Sequence, residues 1–423
     1  MILNQRTNKL IKSIYNPAVV AIASSLFYAC GSETNKSTVE DKTPEVEHVI
    51  IYSQPGRFAG WPANNGAFIY EGNEIIVGFT EAGYVKKKGH NAEQPYLNWL
   101  ARSTDGGLNW TAYDPENYAG DFGAQPDLKK NETELDFTNP GFVMRVIGAG
   151  YHGADDGRSH FFYSYDRGLN WQGPFSFGDL LSWPELRDNG LDELTPRTDY
   201  IVMGSQECLL FFSARKKDTF ASDRLFCIKT TDGGKTFQFH GWVIGLPHMA
   251  GNDVKVDLFE DKSKNPGANE CRAVMSQSVQ LENGTIVSAI RRKYIAEDKE
   301  EYHWIDVYHS KDGGETWNFL SKVAETGGDN GNPPAMTTTA DGRLCVVFGE
   351  RDKGTIQATY SEDEGKTWTQ PFVLIDEFWS EDMQMNDLGY PRVVRREDGK
   401  MVAIYYYSTK SHLHHLRASI WEP

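Results

Sequence analysis

From residue 48 onward the chain alternates short apolar runs with polar turns. HVIIYS (His48 to Ser53), CLLFFSA (from Cys208), RLFCIKT (from Arg224), CVVFGE (from Cys345) and MVAIYYY (from Met401) have the length and residue types of strands. The segment Leu281-Glu282-Asn283-Gly284-Thr285-Ile286-Val287 places an Asn-Gly pair between apolar flanks, which signals a hairpin. Asp341-Gly342 and Asp398-Gly399 repeat the signal, Gly72-Asn73 does so less clearly, and Arg392 to Tyr407 reads as a hairpin of its own. No apolar run reaches the roughly 20 residues of a membrane-spanning helix.

One pattern, Ser/Thr-x-Asp-x-Gly-x-x-Trp/Phe, occurs five times: Ser103 to Trp110, Ser164 to Trp171, Thr230 to Phe237, Ser310 to Trp317 and Ser361 to Trp368. Each copy encodes a tight turn. The Asp accepts backbone N–H groups, the Gly supplies a positive φ, and the aromatic tucks beneath. These copies resemble the Asp-box of sialidases and related β-propellers, which joins the third and fourth strands of a blade. The resemblance assigns Asp105, Asp166, Asp232, Asp312 and Asp363 to structure rather than catalysis. Successive boxes are 61, 66, 80 and 51 residues apart, and the gap of 80 has room for a long loop or an extra blade. A blade without a box follows the last copy, and HVIIYS is expected to pair with the C-terminal segment and close the ring. The expected fold is therefore all-β: a single β-propeller over residues 48–423, with seven blades as the main expectation and six as the alternative.

Composition agrees, since 13% aromatic residues and 40 glycines favour strands and tight turns. The formal charge of −16 excludes non-specific nucleic-acid binding, which needs a basic footprint. Residues 1–29 carry Arg6, Lys9 and Lys12 ahead of an apolar stretch and read as an export signal. The sequence Phe27-Tyr28-Ala29-Cys30-Gly31 resembles a lipobox, with Cys30 the lipidated residue. Residues 30–47 read as a flexible tether. The expected location is the cell surface, as an outer-membrane lipoprotein, or the periplasm, with membrane contact only through the lipid. Export would permit a disulfide between Cys208 and Cys227, and buried free thiols are the alternative.

The fold does not name a chemistry. A sialidase-like exo-glycosidase needs a cluster of arginines on a carboxylate, and Arg291, Arg351 and Arg392 fall at strand ends suited to an anion. A first-blade Arg-Ile-Pro motif is absent. In its place, GRFAGWPANNG (Gly56 to Gly66), with DFTNPGF, SHFFYSYDRG, PRTDYIV, CRAVMSQSVQLENGTIVSAIRRK and DLGYPRVVRREDGK, resembles seven-bladed propellers acting on rhamnose–uronate glycans. These are ulvan lyases, rhamnose–glucuronate lyases and an α-L-rhamnosidase family. Asn65 stands where the rhamnosidases have His.

For the lyases, the resemblance implies catalytic Tyr200, His160, Arg215 and Asn139, the last replacing a His. Arg272, Arg291, Arg392 and His248 would hold the anionic substrate. The expected activity is β-elimination across C4–C5 of a uronic acid in ulvan-type glycan, as a carbon–oxygen lyase with sugar or water as leaving group. Such chemistry needs a base, an acid and a clamp on the carboxylate. No cofactor is required for it, a structural divalent cation is allowed by analogy, and the expected unit is a monomer binding a sulfated rhamnose–uronate glycan. The alternatives are an exo-glycosidase of sialidase or rhamnosidase type and a non-catalytic glycan-binding propeller. No metal ligand set is assigned. His152 near Asp155 and Asp156, and the tract His412, His414 and His415, match no ligand spacing, and Trp61 and Trp304 are candidates for sugar stacking or for core.

Overall fold

The computed structural model describes residues 44–87, 89–118, 127–148, 158–217, 219, 222–249, 254–328, 330–381 and 386–423. The leader, Cys30, His152, Asp155 and Asp156 lie outside them. The described residues form six antiparallel sheets that follow one another along the chain as blades.

The first blade has an inner strand in two pieces, Arg57–Gly60 and Ala67–Tyr70, both paired to Glu74–Tyr84, with Ala92–Ser103 and Thr111–Tyr113 outside. The second has three strands, Val143–Ile147, His160–Ser164 and Gln172–Ser176. In the third, Glu193–Leu194 and Tyr200–Val202 share Cys208–Arg215, followed by Arg224–Thr230 and Gln238–Ile244. The fourth runs Arg272–Gln280, Ile286–Ile295, Glu301–Ser310 and Asn318–Glu325. The fifth runs Ala335–Thr338, Leu344–Glu350, Thr355–Ser361 and Phe372–Ile375. The sixth joins Gly389–Arg395, Met401–Tyr407 and His415–Trp421 to Val46–Tyr52 from the other end of the chain, in the register Val46 to Trp421 and Val49 to Ala418. Ring closure thus follows the pairing read from HVIIYS.

Every residue of Cys208–Arg215 and of Met401–Tyr407 is buried. A blade lies between two others, so its middle strands are covered on both faces and read as unbroken apolar runs. The expectation of seven blades is corrected to six among the described residues. Beyond the outer strand of the third blade and the first three strands of the fourth, the long gap between Asp232 and Asp312 holds no additional blade among the described residues. Between Gln238–Ile244 and Arg272–Gln280 the described residues form loop and two short 3-10 turns, and Val256, Ala268 and Cys271 pack on the buried Trp304.

The Asp-boxes form as the pattern requires. Asp312 Oδ1 accepts the N–H groups of Glu315 (3.1 Å) and Thr316 (3.0 Å) and the Ser310 hydroxyl (2.7 Å), and the Trp317 indole donates to the Gly314 carbonyl at 3.0 Å. Asp105, Asp166, Asp232 and Asp363 accept matching bonds within their own turns. Cys208, Cys227, Cys271 and Cys345 are buried free thiols. On adjacent strands, Cys208 faces Thr230 and Cys227 faces Phe211, so the first pair is out of register for a bond.

Candidate active site around Tyr390

A cavity of about 330 Å³ opens where the loop between the second and third strands of the first blade meets the ends of inner strands from the fourth and sixth blades. Tyr390 lies in its wall, near the start of the sixth blade's inner strand, with a positive φ of 47°. Asn332 fixes that backbone. Its Oδ1 accepts the Tyr390 N–H at 2.8 Å and its Nδ2 donates to the Leu388 carbonyl at 3.0 Å. Gly389 is required beside it, because its φ is 102° and a Cβ there would lie 2.1 Å from Asn332 Oδ1.

Two guanidinium groups flank the phenol. Arg291 Nη1 donates to the Tyr390 oxygen at 3.2 Å, and Arg291 is itself held by Met275 Sδ and the Asn330 carbonyl. Arg351 lies 5.8 Å from the Tyr390 ring centre and donates to Tyr406 Oη (3.2 Å) and the Leu388 carbonyl (3.3 Å). Burial works to raise the Tyr390 pKa, but Arg291, His90 and Arg351 outweigh it and bring the phenol down to about 7. Tyr406 behaves in the opposite way. Burial and the Asp387 carboxylate push its phenol well above 10, so it stays a neutral donor.

His90 comes from the first-blade loop. Its Nδ1 lies 2.7 Å from Oδ1 of Asp387, which is fully buried. Asp387 also accepts the Asn91 N–H at 3.0 Å and the Tyr406 hydroxyl. Burial alone would raise this carboxyl, yet His90, with His414 and Arg351 behind it, holds it well below the usual carboxylate range. The His90 ring stands edge-on to Tyr390 at 5.6 Å and to Trp61 at 5.0 Å. Trp61 itself is held in a left-handed conformation, with φ 57° and ψ 45°, ahead of the four-residue helix Pro62–Asn65.

Lys87, Arg197, Arg272 and Arg291 share the cavity lining, and among the described residues no carboxylate does. Arg272 Nε donates to Asp223 at 2.7 Å, and Arg197 Nε donates to Asn64 Oδ1 at 2.8 Å. The cavity suits a ligand that brings its own negative charge.

The residues singled out by sequence fall in different places. Arg272 and Arg291 line this cavity, as does Trp61, while Arg351 stands behind Tyr390. Arg392 is buried among the inner strands, where it donates to the Thr198 carbonyl at 2.6 Å and to the Ala63 carbonyl, and it lines a second cavity of about 420 Å³. His248 is exposed on a loop. Trp304 is fully buried in the core. Tyr200 lines the same second cavity, its oxygen accepting the Met144 N–H at 3.1 Å along the edge of the second blade. Burial raises its pKa well above 10.

Arg215 pairs with Glu193, whereas Tyr200 faces Leu210 on the same strand. Five residues along a strand separate the two by about 17 Å. Asn139 closes a turn, its Oδ1 accepting the Gly141 N–H at 2.9 Å, and His160 pairs with Ile147 at the far end of the strand that follows. Sequence reasoning did not single out His90, Asp387, Tyr390 or Tyr406. Asp387 and Tyr390 sat inside DLGYPRVV, but no spacing links them to His90, which is 297 residues from Asp387. No group of three or more metal-ligating side chains occurs among the described residues.

Fold and repeat define an Asp-box β-propeller. A BNR repeat-like domain matches residues 262–404. No curated protein matches the sequence. A protein of unknown function from Dyadobacter fermentans is 18% identical with a TM-score of 0.63, covering 90% of this chain and 100% of its own. An α-L-arabinanase from Penicillium chrysogenum, solved with arabinobiose, is 13% identical with a TM-score of 0.54, covering 90% of this chain and 99% of its own. A Hadza microbial sialidase is 13% identical with a TM-score of 0.52, covering 86% of this chain and 66% of its own. The expectation of a carbon–oxygen lyase is corrected accordingly. The phenol–guanidinium pair it required, Tyr200 with Arg215, is not assembled, and the enzymes named among these similar structures are hydrolases.

Proposed function

We propose that the protein is an exo-acting glycosidase that removes a terminal sugar bearing a carboxylate, of the sialic acid or uronic acid class, from a glycan. The observation that carries this reading is the Tyr390 phenol between Arg291 and Arg351 in a cation-lined cavity. A glycosidase needs a nucleophile or base beside the anomeric carbon. A carboxylate nucleophile would repel an anionic sugar in a site of low dielectric, and a phenol buttressed by guanidinium groups avoids that repulsion. Arg272, Arg197 and Lys87 would take the substrate carboxylate, through the fork geometry that arginine offers two oxygens. A cavity of about 330 Å³ is at the small end for ligand sites and suits one terminal residue rather than a long chain. The reaction uses protein groups alone. In this reading the leader sends the enzyme to glycans outside the cytoplasm, with Cys30 as its lipid anchor.

The test is turnover of 4-methylumbelliferyl glycosides of N-acetylneuraminic acid, glucuronic acid, rhamnose and arabinofuranose. Release from an acidic sugar, lost by about a thousandfold or more in Tyr390→Phe, is the expected result. Preference for a neutral sugar, or a Tyr390→Phe variant that turns over normally, would overturn the reading.

A further inference from the structure

A phenolate that attacks the anomeric carbon solves half of a glycosidase's problem. The departing oxygen of a natural glycan is a sugar hydroxyl, a poor leaving group unless protonated as it goes. Among the described residues no carboxyl group lines the cavity to do this, and Asp387 lies behind it and is held ionised. We infer that His90 is the proton-transfer residue of this site and Asp387 its positioning residue, an inference that rests on the glycosidase reading above.

The geometry supports each part. Asp387 accepts at His90 Nδ1, at 2.7 Å, which fixes the ring and leaves Nε2 as the nitrogen that can trade a proton. Among the described residues Nε2 makes no hydrogen bond, and the His90 side chain is 27% exposed at the cavity wall while its carboxylate partner is 0% exposed. The Tyr406 hydroxyl and the Asn91 N–H occupy Asp387 further, so the carboxylate is fixed before any ligand arrives. Asn91 is anchored in turn, its side chain 3.2 Å from His414 Nε2, which ties the His90 loop to the sixth blade. The His90 and Tyr390 rings are 5.6 Å apart. Both rings belong to the cavity lining, so one bound sugar can meet the two side chains.

The step balances without a further reactant. Tyr390 oxygen forms a bond to the anomeric carbon as the glycosidic C–O bond breaks, and its electron pair leaves on the departing oxygen, which takes the proton from His90 Nε2. Water then attacks the same carbon and gives a proton to Nε2. The bond to Tyr390 breaks and its electron pair returns to the phenolate. The sum is hydrolysis with retention.

The experiment compares leaving groups in the full chain. An umbelliferyl group departs with little protonation, whereas a sugar or methyl oxygen does not. The probes are 4-methylumbelliferyl N-acetylneuraminate against sialyllactose, and 4-methylumbelliferyl glucuronide against methyl glucuronide. In His90→Gln, kcat on sialyllactose or methyl glucuronide should fall by about a hundredfold to ten-thousandfold, and on the matching umbelliferyl glycoside by about tenfold or less. Asp387→Asn should show the same selectivity in weaker form, with KM nearly unchanged. Thermal melting checks that each variant folds, and His90→Asn gives a second replacement should His90→Gln be unstable. Equal losses on both probes, or no loss, in a protein that still depends on Tyr390 would overturn the His90 assignment alone. Failure of the unsubstituted protein to turn over any of the four probes would overturn the glycosidase reading and this inference with it.

Discussion

Two tyrosines show what local surroundings do to one side chain. Tyr390 sits among Arg291, Arg351 and His90, with Tyr406 next to it, and is brought to about 7. Tyr200 sits among Phe68 and Phe142 and is pushed far up. Both occur in segments that read alike, a Tyr beside apolar neighbours, and neighbours in sequence do not reveal which blade supplies the charge. The Arg291 and Arg351 side chains reach Tyr390 from positions 99 and 39 residues away, so the candidate nucleophile was not legible although Arg291 was. Activity should rise with pH through about 7 as the phenol ionises. Arg291→Met removes a cation that favours the phenolate, so this limb should move to higher pH in a profile of kcat/KM. Tyr200→Phe should leave turnover intact and cost about 1–3 kcal/mol in a denaturant melt, because the buried Met144 N–H loses its acceptor.

The turns were the most legible elements, because an Asp-box is closed by its own residues. All five copies form where the pattern lies, between the last two strands of a blade. The inner strands were less legible. In the first and third blades they are broken into two pieces, and the interruption at Trp61 to Gly66 builds one side of the candidate site. The box carboxylates are held below their ordinary range by hydrogen bonds within the turn that offset partial burial, Asp312 and Asp363 to about 2. A lowered carboxyl pKa stabilises the fold above its unfolded value near 4, and that contribution is lost as pH falls toward the folded value. The melting temperature should therefore drop between about pH 4 and pH 2, and Asp312→Ala should remove part of that drop while leaving activity at neutral pH unchanged.

At the scale of the molecule, the ring is held shut by one strand pairing, Val46–Tyr52 on His415–Trp421. That pairing was readable because an apolar run near the start had no hairpin partner of its own. The number of blades was not, since chain length cannot distinguish a blade from a loop. The residues that suggested a seventh are spent on the segment packed over Trp304. Removing residues 44–52 exposes the edge of the sixth blade and the apolar faces beneath it. A loss of several kcal/mol, or about 10 °C or more in melting temperature, is expected by calorimetry. The same closure brings the sixth blade, with Asp387 and Tyr390, against the first-blade loop that carries His90.

The most direct test of the site needs no substrate. Tyrosinate absorbance should be followed against pH in the full chain and in Tyr390→Phe. One phenol ionising near pH 7, absent from the variant and shifted upward in Arg291→Met, is the predicted result. A chain in which no tyrosine ionises below about pH 9 would contradict the account at its centre.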